Sequence, residues 1–192
     1  NAFTRAGYAF SGWNTAADGL GTAYADGAIY DFSADITLYA QWTALPMHTV
    51  TFLANGGTGT MAPQTANAPT ALTLNAFTRA GYTFSGWNTV ANGTGTPYAD
   101  GATYDFLADI TLYAQWTALP SHTVTFNSNG GSGSTAPQSA NVPTALNANT
   151  FTRTGYTFSG WNTAANGSGT AYADGATYSF AADVTLYAQW TA

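Results

Sequence analysis

Along residues 122 to 126, His-Thr-Val-Thr-Phe, polar and apolar side chains alternate, the two-residue period of a strand with one buried face. Residues 184 to 190 alternate in the same way. Val184, Leu186, Ala188 and Trp190 fall on one face and Thr185, Tyr187 and Gln189 on the other. Between them, Phe151 to Trp161 reads as extended, with Tyr156 and Phe158 on one side and Trp161 turned inward at a bend near Gly160. Asn-Gly and the glycines that follow it in residues 127 to 133 supply positive-φ positions for a tight turn. Residues 166 to 169 and 173 to 175 read as two more turns. Pro137 and Pro143 exclude a long helix from residues 135 to 147, leaving room for a short one after Pro143. The pattern predicts a mainly β fold, α+β at most.

The whole pattern recurs. Trp13, Trp87 and Trp161 stand 74 residues apart, and Trp42, Trp116 and Trp190 keep the same interval. A fixed period of this kind makes the chain a tandem array. Residues 1–44 match only the later part of the unit, while 45–118 and 119–192 are whole units. Each join, Thr43-Ala44-Leu45-Pro46 and Thr117-Ala118-Leu119-Pro120, is short and holds a proline, so neighbouring repeats should couple into a semi-rigid rod. Lacking an opening strand, residues 1–44 should present unpaired backbone that invites another chain. The chain starts inside a repeat, which points to a segment of a longer array and to an extracellular filament as one assembled form.

Composition supports β structure. Every acid is Asp, every base is Arg, and cysteine is absent, so straight-chain helix formers are scarce and a disulfide scaffold is excluded. A net charge of −6 with three arginines cannot neutralise many phosphates, which argues against nucleic acid and anionic membranes. No apolar run approaches the ~20 residues that span a bilayer, and no signal peptide or anchor is visible.

Taken in order, the Val-Thr-Phe strand, Asn-Gly-Gly, Gly-Tyr-Thr-Phe-Ser-Gly-Trp and Thr-Leu-Tyr-Ala-Gln-Trp resemble the Listeria–Bacteroides repeat family, the B-repeat type of internalin-like bacterial surface proteins. The resemblance covers nearly the whole chain. It implies a small β-grasp-like domain of about 74 residues, repeated in secreted or wall-anchored proteins as a stalk or adhesive module. It also implies core roles for Trp87, Trp116, Trp161 and Trp190, and Trp13 and Trp42 occupy the same places in the partial copy.

Candidate chemistry is sparse. His48 and His122 are equivalent positions with no counterpart in residues 1–44, and no second titrating partner is expected to recur near them, so they read as strand starts. The acidic sets Asp26, Asp31, Asp35 and Asp100, Asp105, Asp109 suggest acid/base work or calcium, but the third repeat has Ser179 at the middle position. No catalytic, metal or cofactor site is expected. The Gly-rich stretches lack the lysine and helix of a phosphate loop. Asn92 and Asn166 head formal glycosylation triplets that arise often by chance. Lysine's absence excludes Lys–Asn isopeptide bonds, while a Thr–Gln ester through Gln189 stays conceivable. Tyr39, Tyr113 and Tyr187 repeat on the outer face of the last strand, where rings could stack on sugars or be covered by a neighbour.

The expected function is a structural or adhesive array at a bacterial surface or outside the cell. Its partners would be neighbouring repeats and other copies of the chain. The alternative is a glycan- or protein-binding module acting through the outer tyrosines or a free strand edge.

Overall fold

The computed structural model describes residues 1–192, with seventeen strands and no helix. Contacts divide the chain into two compact units. The first is Asn1–Arg79 with Phe84–Trp116, the second Ala80–Thr83 with Thr117–Ala192.

In the first unit, the partial repeat folds as β1 (Tyr8–Asn14), β2 (Ala23–Tyr24) and β3 (Tyr39–Ala44), a sheet of order β2-β1-β3. The following repeat contributes β4 (His48–Leu53), β5 (Gln64–Ala66), β6 (Thr70–Ala71), β7 (Tyr82–Asn88), β8 (Pro97–Tyr98), β9 (Thr103–Tyr104) and β10 (Ile110–Ala118). Their sheet has the order β5-β4-β10-β7-β8, with β6 and β9 paired separately. The opening and closing strands of the repeat thus lie side by side and parallel, Val50 opposite Ile110 and Phe52 opposite Leu112.

The second unit repeats this plan. Its strands are β11 (His122–Asn127), β12 (Gln138–Ala140), β13 (Thr144–Ala145), β14 (Thr157–Asn162), β15 (Ala171–Tyr172), β16 (Thr177–Tyr178) and β17 (Val184–Thr191). The sheet order is β12-β11-β17-β14-β15, and β13 pairs β16. No helix follows Pro143; Thr144 and Ala145 pair instead with Tyr178 and Thr177. Gln138 holds that segment flat, donating to the Ala145 carbonyl at 2.7 Å and accepting the Asn147 N–H at 2.8 Å. With proline limiting helix formation, this segment of loop and short strand closes over the core.

A bulge builds the core. Phe158 and Trp161 are an odd number of residues apart, so simple alternation would put them on opposite faces. The ladder slips between Phe158 and Gly160, and both rings then face inward with centroids 4.9 Å apart. Gly160 is required there, because its φ is 138° and a Cβ would come within 2.9 Å of the Tyr172 carbonyl. Phe126 and Phe151 complete the surround of Trp161, at 4.8 and 6.0 Å. Trp161 and Trp87 are wholly buried.

The six tryptophans are not equivalent. Trp116 and Trp190 are half-buried, packed on the core edge with indole N–H donated to the Ala54 and Ser128 carbonyls at 2.9 and 3.0 Å. Trp13 and Trp42 are also half-buried, and none of the buried apolar residues lies in residues 1–44. The physical reason is simple: Val50, Phe52 and Leu72, which enclose Trp87 in the whole repeat, have no counterparts in that segment.

Candidate functional site

The feature shared by both units is the joint between consecutive repeats. In the second unit, the Gly81 carbonyl accepts the Leu119 N–H at 2.8 Å and the Asn141 side-chain amide at 3.0 Å. The same amide reaches the Leu119 carbonyl at 3.4 Å. In the first unit the equivalent atoms make the same set. Gly7 accepts from Leu45 at 2.9 Å and from Asn67 at 3.1 Å, and Asn67 also reaches the Leu45 carbonyl at 3.3 Å. One asparagine therefore ties the turn of one repeat, the proline-containing join and the next repeat's loop. Gly81 has φ 76°, and a Cβ on it would lie 2.8 Å from the Asn141 Oδ1. Glycine here serves conformation and close approach together.

Sequence reading missed this clamp, because its partners are 60 residues apart. The available signal was an asparagine recurring two residues before a proline in both whole repeats.

The acidic sets do not converge. Asp100 accepts the Asn75 N–H at 2.9 Å, Asp105 that of Leu107 at 3.1 Å, and Asp109 that of Thr49 at 2.8 Å. Each pins a different loop, and no three metal-ligating side chains cluster. The histidines do have a recurring titratable partner, contrary to the sequence reading. His48 Nδ1 lies 3.3 Å from Asp109 and His122 Nδ1 3.3 Å from Asp183. The sequence neighbours of each histidine concealed it, because parallel pairing brings the partner from about 60 residues away. The Thr49 and Thr123 N–H bonds, and then the histidines, hold Asp109 and Asp183 below the usual carboxylate range. Burial pushes the Tyr104 and Tyr178 phenols up.

Tyr113 and Tyr187 stand half-buried on the face away from Leu112, Ala114, Leu186 and Ala188, and Tyr39 is exposed. The Gln189 amide is spent on backbone carbonyls, nearest that of Tyr187 at 3.2 Å, rather than on a threonine hydroxyl. The arginines Arg5 and Arg153 lie over the rings of Tyr8 and Tyr156 at 3.9 and 4.0 Å.

The profile of the Listeria-Bacteroides repeat domain matches residues 1–41, 48–115 and 122–189. A protein named as a Gly-rich membrane protein of Evansella cellulosilytica is 41% identical over 144 residues, covering 67% of this chain and 16% of that protein. A second membrane protein of that organism is 32% identical over 198 residues, 96% of this chain and 28% of its own length. Internalin H of Listeria monocytogenes is 43% identical over 117 residues, 59% of this chain and 20% of its own length. The chain thus spans between 16% and 28% of the length of these relatives.

Proposed function

The chain belongs to the Listeria-Bacteroides repeat domain family, and from that premise we propose that it is a non-catalytic structural segment of a bacterial cell-surface or extracellular protein. Its work is that of a stalk or filament segment carrying adhesive parts outward, built from β-grasp-like repeats. Two features support the β-grasp-like reading: the parallel central pair and the flanking antiparallel strands. The names of the membrane proteins and the internalin among its relatives support a surface location.

The observation that carries the proposal is the asparagine clamp. A join that served only as a tether would need no side chain bridging both repeats, whereas Asn67 and Asn141 each bond to a turn and a join carbonyl. The chain has no cysteine, so spin labels on D18C and N166C report end-to-end distance cleanly. A narrow distance distribution in the parent chain, broadened by N67A/N141A with little change in circular dichroism, is the expected outcome. A parent distribution already as broad as a flexible coil would sink the stalk reading.

A second reading, glycan or protein binding, rests on the recurrence of Tyr39, Tyr113 and Tyr187 on the outer face, with Tyr39 43% exposed. Binding on a glycan array that is lost in Y113A/Y187A would favour it over the stalk.

A further inference from the structure

The tandem arrangement fixes how tension runs through a repeat. Residues 45–118 are flanked by 1–44 and 119–192, so a pull along the chain enters at β4 (His48–Leu53) and leaves at the end of β10 (Ile110–Ala118). These strands are neighbours in the sheet and run parallel, with Val50 opposite Ile110, Thr51 opposite Thr111, Phe52 opposite Leu112 and Leu53 opposite Tyr113. A pull back on His48 and forward on Ala118 therefore slides one strand past the other along the strand axis. In that direction every bond between them stretches by the same displacement, and all must yield together. In an antiparallel pair, with entry and exit at one end, the bonds would open one at a time.

Side chains close both ends of this ladder. At the entry, Asp109, the residue before β10, accepts the Thr49 N–H at 2.8 Å and lies 3.3 Å from His48 Nδ1. At the far end the Asn55 amide donates to the Ala114 carbonyl of β10 at 2.9 Å and to the Ala91 carbonyl at 2.8 Å. The Trp116 indole adds a bond to the Ala54 carbonyl at 2.9 Å. Asn55 has φ 48°, a region that few residues other than Gly, Asn and Asp enter. Glycine would suit that backbone as well; asparagine supplies the amide that reaches the last strand. Val50, Leu112 and Ala114 have no exposed surface, so the core face of the pair is closed to water that would compete for its bonds. The last repeat carries the same set. Thr123 N–H meets Asp183 at 2.8 Å, and the Asn129 amide, on a residue with φ 46°, meets the Ala188 and Ala165 carbonyls at 2.9 and 2.8 Å.

We infer that each whole repeat is a tension-bearing element whose parallel first and last strands are its mechanical clamp, locked at the far end by Asn55 and Asn129. Its use in the cell rests on the stalk reading, whereas the clamp itself stands on strand direction and the bonds between the two strands. The consequence is directional. A repeat resists a pull along the array far better than a pull that opens the same strand pair from one end. Each repeat then extends only when its first strand is sheared from its last, so an array keeps its length under drag.

Single-molecule force spectroscopy on the 192-residue chain tests it, with DNA handles attached through introduced cysteines. M47C/A118C loads the middle repeat in shear, and M47C/L107C peels the same two strands apart from one end. Met47 and Leu107 lie outside the strands and are 58% and 72% exposed, and Ala118 is exposed. At one loading rate the sheared repeat should unfold at about threefold the force of the peeled one. Asn55→Gly keeps the backbone and removes the amide. It should speed unfolding under shear about tenfold and leave the peeling force unchanged, because peeling meets its resistance at Asp109 first. A general loosening of the repeat would lower both forces. Equal forces in the two directions overturn the inference, as does N55G lowering both alike or neither. A broad spin-label distribution with direction-dependent force would remove the stalk reading and sustain the clamp; a narrow one with equal forces would do the opposite.

Discussion

The indole of Trp190 donates to the Ser128 carbonyl at 3.0 Å, so the last strand of the repeat is fastened to the turn that follows its first. Between them lies Gly131, where a Cβ would stand 2.7 Å from the Trp190 ring and 2.9 Å from the Thr152 carbonyl. Gly57 is in the same position under Trp116. These glycines are needed for space, whereas their neighbours Asn129 and Gly130 form the turn with φ 46° and 86°.

Substituting G131A should therefore act by crowding alone. A loss of about 1–3 kcal/mol is expected from overpacking, read as a shift in the denaturation midpoint, with S134A near neutral. An unchanged midpoint would mean that the tryptophan ring swings away without penalty.

Asn162 is 3% exposed and satisfies four backbone groups at once. Its Oδ1 accepts the Ala164 and Gly169 N–H, both at 2.9 Å, and its amide donates to the Gly167 and Gly169 carbonyls at 3.1 and 3.2 Å. Replacing it as N162A orphans these groups, and a loss of about 1–3 kcal/mol is expected for the turn. Hydrogen exchange at Gly169 should accelerate first, before the core strands are affected.

Stability should fall on acidification in part through Asp109 and Asp183. Their folded pKa values lie below the ordinary 3.8, so their contribution is present above that value and is lost as pH drops through the lower folded value. Thermal melts of D109A/D183A should show a smaller decrease between neutral pH and strong acid than those of the parent. Equal slopes would show that the N–H bonds to Thr49 and Thr123 do not favour the ionised carboxylates.

The tryptophans should separate by burial. W161A removes a ring with no exposed surface and should cost about 3–5 kcal/mol, enough to unfold its own repeat. W13A removes a half-buried ring from a segment without a closed core and should cost far less. Equal losses in calorimetry would contradict the difference in burial between the two rings.

Much of this was legible in the chain. Alternation from Val184 to Trp190 marked a strand and its inner face, the glycine beside Trp161 marked the bend, and the recurring interval marked the repeats. Those are local properties, set by side-chain period and backbone sterics, and they survive any tertiary arrangement. Three other facts concern residues about 60 positions apart: the parallel pairing of first and last strands, the His48–Asp109 contact and the Asn141 clamp on Gly81. Spacing along a chain says nothing about which distant carbonyl an amide will meet; only the closing of the sheet brings the two together. The same closing separates Trp161 from Trp13, which share a sequence block but not a core, because burial requires a covering segment and a motif alone does not supply one.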